Sequence, residues 1–200
     1  MDTQSCRPCE LECHYVHQAP ATVCYIPNFI TAPEENYLLQ QVYNSPKPKW
    51  TQLSGRRLQN WGGLPHSKGM LAEKLPDWLD YYAKKISSLG PFEGKVANHV
   101  LVNEYNPGEG IMVYFPQTEE NRYFLSLLLE PRSLLVLQDD MYMKYLHGIR
   151  PVMEDIVTEK VANLKLCNTK LGAVFRRTRR ISLTIRYVPK VLKTTILLGR

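Results

Sequence analysis

The chain has 200 residues, 44% of them hydrophobic and 22% charged, with 25 Lys+Arg against 19 Asp+Glu for a formal net charge of +6. That is enough apolar material for one packed core, and it excludes a wholly disordered, collagen-like or acidic-tail protein. The longest apolar runs span a few residues, as at Leu127 and Leu134, far from the roughly 20 that cross a bilayer, so no membrane association is expected.

Residues 1–20 are polar and carry no apolar period, which predicts a flexible N-terminal leader ahead of a single domain at 21–200. The start lacks the basic group and apolar stretch of a secretory signal, so an intracellular protein of the cytoplasm and nucleus is expected. Cys6, Cys9, Cys13 and His17 have the short spacings of a zinc site but fit no standard zinc module, and the odd count of five cysteines favours reduced thiols.

Further along, VCYIPNFI from Val23 reads as an extended segment. Thr31-Ala-Pro-Glu-Glu then starts a helix that runs to about Asn44, with a hydroxyl cap followed by early proline and acids. Residues 50–66 are too punctuated by glycine for a helix and predict a hairpin or ligand-facing loop. Leu75, Trp78, Leu79, Tyr82, Ile86 and Leu89 recur at spacings of three and four, the mark of a second amphipathic helix. After Gly94 the period changes to two. A strand is expected over 98–105, stopped by Asn106-Pro107-Gly108, followed by strands at 124–129 and 133–137 joined through Glu130-Pro131-Arg132. A last strand, 180–186, places Ile181, Leu183 and Ile185 on one face and Arg180, Ser182, Thr184 and Arg186 on the other. Helices first and strands after give an α+β, mainly β fold. The last acidic residue is Glu159, and the basic stretch beyond it suits either phosphate contact or a solubilising edge.

The segments PKPKWTQLSGRRLQNWGGLPH, ANHVLVNEYNPGEGIM, SLLLEPRSLLVL, LHGI and RISLTIRYVPKVL are where a family becomes visible. An Asn-x-Tyr closing one strand, a later His-Gly and an Arg-x5-Arg final strand together resemble the AlkB family of 2-oxoglutarate- and Fe(II)-dependent dioxygenases, from about residue 18 to the end apart from one junction near 113–121. The resemblance implies a double-stranded β-helix (jelly roll) behind N-terminal helices and a substrate lid, with Fe(II) as cofactor and 2-oxoglutarate as cosubstrate. It also implies hydroxylation of a C–H bond, commonly on an N-methyl group that leaves as formaldehyde, with DNA or RNA as the substrate class, and a monomer. Asn103 and Tyr105 would line the 2-oxoglutarate pocket, Arg180 and Arg186 would hold its carboxylates, and His147 would be a metal ligand. Residues two apart on a strand share a face at about 6–7 Å, and guanidinium forks match carboxylates. Arg180 and Arg186 stand about 20 Å apart along an ideal strand, so only inward-leaning side chains bring both to one small diacid. Trp50, Trp61 and the Arg56-Arg57 pair are candidates for stacking on a base and contacting phosphate, with a core-anchor role the alternative for both tryptophans and the favoured one for Trp50. His66 is a lesser lid candidate, with a surface-loop role as its alternative.

The chain departs from that family at the metal. A ferrous oxygenase needs two histidines and a carboxylate on one face of the ion. The family supplies one histidine and the carboxylate as His-x-Asp just after the Gly-Ile-Met turn. Here the stretch Gly110-Ile-Met-Val-Tyr-Phe-Pro-Gln117 has no histidine, and none of His14, His17, His66, His99 and His147 begins a His-x-Asp or His-x-Glu. Only about a dozen residues separate that turn from Leu-Leu-Leu-Glu-Pro, where the family has a metal-binding turn and about two strands. The expectation is a jelly roll short of about two core strands and an inactive chain, or else a non-catalytic nucleic-acid-binding or interaction protein built on that fold.

Overall fold

The computed structural model describes residues 11–20, 22–111 and 125–192. Their fold is α+β and mainly β, with fourteen helices and strands described: β1 (Val23–Ile26), α1 (Ala32–Tyr43), β2 (Trp50–Leu53), β3 (Arg56–Trp61), β4 (Gly63–His66), β5 (Gly69–Ala72), α2 (Asp77–Ser87), β6 (His99–Tyr105), β7 (Leu134–Leu137), α3 (Asp139–Met143), β8 (Glu154–Ile156), β9 (Val174–Arg176), β10 (Arg180–Arg186) and β11 (Val191–Leu192). Two compact units share them, one drawn from Met1–Asn36 with Gly110–Arg177 and the other from Tyr37–Glu109 with Thr178–Arg200, so that the division falls within α1.

In the second unit the alternating strands expected at 98–105 and 180–186 form as β6 and β10. β10, β6, β3 and β2 lie side by side in that order, each pair antiparallel. One face of this sheet, carrying Val100 and Val102 with Ile181, Leu183 and Ile185, packs with Val42, Leu75, Leu79, Ala83 and Ala97 into a core. The three-and-four spacing on α2 works as expected: Leu79, Tyr82, Ala83 and Ile86 are its buried residues. The 50–66 stretch resolves into β2, β3 and β4, and β4, β5 and β11 form a second sheet in the order β11-β5-β4. Gly62, between β3 and β4, has φ +88°, and a Cβ there would run into the Asn98 carbonyl, so the turn needs glycine on both counts. β6 ends at Asn106-Pro107-Gly108, where Gly108 has φ +80° and the Glu109 amide donates to the Asn106 carbonyl at 3.0 Å.

The first unit pairs β1 with β7, in the register Val23↔Leu137 to Ile26↔Leu134, and β8 with β9. Val16, Val23, Tyr25 and Met141 make its core. At the start of α1 the Thr31 amide donates to the Glu34 carboxylate at 2.7 Å and the Glu34 amide donates back to the Thr31 hydroxyl at 3.3 Å, a reciprocal cap. The buried Tyr25 hydroxyl donates to Glu130 and accepts from its amide, and burial pushes its pKa up to about 12.

Three expectations meet corrections or limits here. Helices do not precede strands, because five strands come before α2. The apolar run expected as a strand over 124–129 forms none in its described part, 125–129, beyond a single bridge from Ser126 to Val161. Buried Asn163 explains this: its side-chain amide donates to the Leu128 carbonyl at 2.8 Å and accepts from the Leu128 amide at 2.9 Å, replacing the neighbour a strand would need. Of the segment read as a leader, residues 1–10 lie outside the described residues. From there on, Leu11 and Val16 are buried and the Val16 amide bonds the Val23 carbonyl at 3.0 Å.

Candidate cosubstrate-binding face

The β6–β10 register decides which side chains meet. Tyr105 stands opposite Arg180, Asn103 opposite Ser182, Leu101 opposite Thr184 and His99 opposite Arg186. Residues two apart share a face, so all four sequence-predicted diacid residues, Asn103, Tyr105, Arg180 and Arg186, lie on the same side of one sheet. It is the side away from Val100, Val102 and the helices. On the other edge of β6, Leu58 of β3 faces Asn103, which brings Arg56 onto this side next to Tyr105.

This face is polar yet poorly hydrated. Asn103, Tyr105 and His99 are each 5% exposed or less. The Arg180 guanidinium sits 5.7 Å from the Tyr105 ring centroid. Burial raises the Tyr105 pKa above the ordinary tyrosine value, and the charges of Arg56 and Arg180 work against that rise. Among the described residues, every buried side-chain nitrogen or oxygen without a hydrogen-bond partner belongs to this face, including Arg56 Nε, both nitrogens of His99, Asn103 Oδ1 and Arg186 Nε. Leaving such a group unmet costs about 1–3 kcal/mol each, so folded chains leave few of them.

The opposite face satisfies itself. Glu104, buried between Asn103 and Tyr105 in sequence, pairs with Arg57 and accepts from the Tyr43 hydroxyl at 2.7 Å. Burial pushes its carboxyl up, but Arg57 and Tyr43 outweigh that, and its pKa ends below the ordinary glutamate value. A cavity of about 240 Å³ beside it is lined by Gln52, Arg57, Asn106, Glu109 and Arg179. The lid candidates turn out differently. Trp50 and Trp61 both pack against the core cluster, Trp61 edge-on to Trp78 at 5.7 Å and Trp50 under the Arg57 guanidinium at 4.1 Å. For both tryptophans this is the core-anchor alternative. Arg56 and Arg57 point to opposite faces, because neighbours on a strand must. His66 is exposed at the β4–β5 turn, where its Nδ1 accepts from the Lys68 amide at 3.1 Å.

His147 lies in the first unit after α3, exposed, with Nε2 2.6 Å from the Met141 carbonyl. Among the described residues no three His, Cys, Asp or Glu side chains converge as a metal site. The stretch where a His-x-Asp is expected lies, from Met112 on, outside the described residues.

Sequence reasoning missed His99 and Arg56 as members of the face. His99 shares strand parity with Asn103, a signal present in the sequence. Arg56 joins only through the β3–β6 register, which no local pattern encodes.

Comparison with known proteins bears on the family of the chain. No family model matches the chain. It is 54% identical over 227 aligned positions, 97% of each chain, to a zebrafish (Danio rerio) protein named "Probable RNA/DNA demethylase ALKBH6". The chain belongs to the AlkB family. A second relative, "Uncharacterized protein L905" of Acanthamoeba polyphaga mimivirus, is 24% identical over 193 positions, 82% of this chain and 84% of that one. The alignment to the zebrafish AlkB homologue spans 227 positions where this chain has 200 residues, so the homologue carries residues that this AlkB-family chain lacks.

Proposed function

We propose that this AlkB-family chain binds 2-oxoglutarate on the β6–β10 face and acts on nucleic acid by binding, without turning the cosubstrate over. Residues 21–200 then form a double-stranded β-helix short of about two core strands at the junction near 113–121, a reading supported by the surplus of aligned positions over chain residues. The observation that carries the proposal is the gathering of buried, unpartnered polar atoms on one cationic sheet face. A dicarboxylate fits that set. Asn103, Tyr105 and Arg180 would hold one carboxylate and Arg186 the other, by charge-assisted hydrogen bonds. The Tyr105 hydroxyl, kept protonated by burial, is a donor there, and Leu58 and Leu101 exclude water between the polar rows. When bound with ferrous iron, 2-oxoglutarate would supply two electrons for the reduction of O2, being oxidatively decarboxylated to succinate and CO2, and O2 would be the oxidant for C–H hydroxylation.

Ferrous iron does not fit the described residues. A carbonyl only accepts, so the short contact to Met141 places the His147 proton on Nε2 and leaves Nδ1 as its single lone pair. Between His99 and His147 the sequence has no other histidine, and one imidazole does not hold a catalytic ferrous ion against water. Nucleic acid as the partner class rests on the name of the zebrafish relative and on the basic run beyond Glu159. The same proposal assigns the protein to the cytoplasm and nucleus as a monomer.

Incubation with Fe(II), 2-oxoglutarate and an N-methylated oligonucleotide tests it. The expected result is no succinate above the blank, with salt-sensitive binding of the oligonucleotide. Succinate release abolished by His147→Ala would overturn the inactive reading.

A further inference from the structure

One group on the β6–β10 face has no part in the function above. His99 is buried, stands directly across from Arg186 and, among the described residues, has no hydrogen-bond partner on either ring nitrogen; Arg186 Nε lacks one there too. Cross-strand neighbours hold their Cβ atoms about 4.5–5.5 Å apart, so one small anion can touch both side chains.

We propose that His99 and Arg186 together receive one carboxylate of the bound diacid, and that His99 takes up a proton as the diacid binds. This rests on the diacid-binding function proposed for the face. The chemistry follows from the donor count. A carboxylate offers only acceptors, and a neutral imidazole presents one donor and one acceptor, so the acceptor nitrogen is left in a negatively charged neighbourhood unless it binds a proton. Imidazolium offers two donors and removes the mismatch.

The groups around His99 make the proton conditional on the ligand. Arg186 faces it from β10. On the β3 side the chain continues to Gly62, which has no side chain, while Trp61 lies opposite Val100 on the other face of the sheet. Glu104, the nearest carboxylate along β6, also points to that other face, where Arg57 holds it. Without a ligand, burial and then the Arg186 charge hold the His99 pKa below the ordinary histidine value. An arriving carboxylate neutralises Arg186 and favours the charged ring, which raises the His99 pKa. Affinity for the diacid therefore rises as pH falls through the liganded pKa, by up to about tenfold per pH unit, and levels off below the unliganded one.

Calorimetric titration of the full chain with 2-oxoglutarate at pH 6 and pH 8, in two buffers of different ionisation enthalpy, tests this. Wild type is expected to bind more tightly at pH 6 with net proton uptake, and His99→Gln to bind with neither the uptake nor the pH dependence. Binding by wild type without proton uptake, or an uptake that His99→Gln retains, overturns the role of His99 and leaves the diacid face standing. No binding by wild type at either pH overturns the diacid face itself. If His99→Gln does not fold, the ring protons of the wild-type histidines are followed by NMR. One histidine pKa moving up on addition of 2-oxoglutarate supports the proposal, and none moving contradicts it.

Discussion

Asn103 and Glu104 are neighbours on one strand, both buried, and their side chains meet opposite conditions. Glu104 points to the face backed by helix α2 and finds Arg57 and Tyr43 waiting. Asn103 points the other way, and its side-chain oxygen finds no hydrogen-bond partner among the described residues. One face of the sheet is finished by folding, with apolar side chains and a satisfied carboxylate. The other is cationic and incomplete, the condition of a surface shaped for a ligand that carries negative charge. A group that stabilises the fold and a group held ready for a ligand can therefore be told apart by whether its partner is encoded in the same chain.

Substitutions on the two faces separate these roles. The largest effect is expected from Arg186→Met, which keeps the length of the side chain and removes the fork: affinity for 2-oxoglutarate falls about 100-fold, in line with losses of about 2–5 kcal/mol for truncating one partner of a buried charge pair. Titration calorimetry reads this, and an unchanged affinity would break the distinction between the faces.

Glu104→Gln comes next and acts on stability. It leaves Arg57 and Tyr43 without the charge they hold, at about 2–3 kcal/mol, below the cost for a fully buried pair because the Arg57 side chain keeps 36% exposure. Its sign with pH is fixed. The folded pKa of Glu104 lies below the unfolded one, so its contribution is present above the unfolded pKa and lost as pH falls through the folded pKa. Urea unfolding at pH 7 and again in acid should show the gap between wild type and Glu104→Gln closing in acid.

The smallest effect on stability is expected from Asn103→Ala. Removing an acceptor that has no partner changes unfolding free energy by less than about 1 kcal/mol, while affinity for the diacid drops about tenfold. A large loss of stability in this variant would show that Asn103 serves the fold.

Much of the sheet was legible because alternation is local. Residues 180–186 separate into an apolar and a polar row in the sequence itself, and the Asn-x-Tyr spacing puts Asn103 and Tyr105 on one face before any partner strand is known. The parts that were not legible depend on residues far apart in the chain. Asn163 supplies the hydrogen bonds that keep residues 125–129 from needing a strand partner, from 35 positions beyond Leu128. Trp61 sits in a glycine-rich stretch that suggests a hairpin or a ligand-facing loop, and its packing partner, Trp78, belongs to another element. The family motifs marked the pocket residues one by one. That their unpartnered neighbours include His99 and Arg56 emerges only from the pairing of β3, β6 and β10.

The most direct measurement of the central claim is titration of the iron-free wild-type chain with 2-oxoglutarate, followed by calorimetry and by the thermal midpoint. A ligand at 100 times its Kd adds about 2.7 kcal/mol to the stability of the state that binds it. Saturable one-to-one binding with a raised midpoint is the expected result, weakened by Arg186→Met and left in place by Glu104→Gln wherever that variant is folded. No saturable binding and an unmoved midpoint at millimolar 2-oxoglutarate would contradict it.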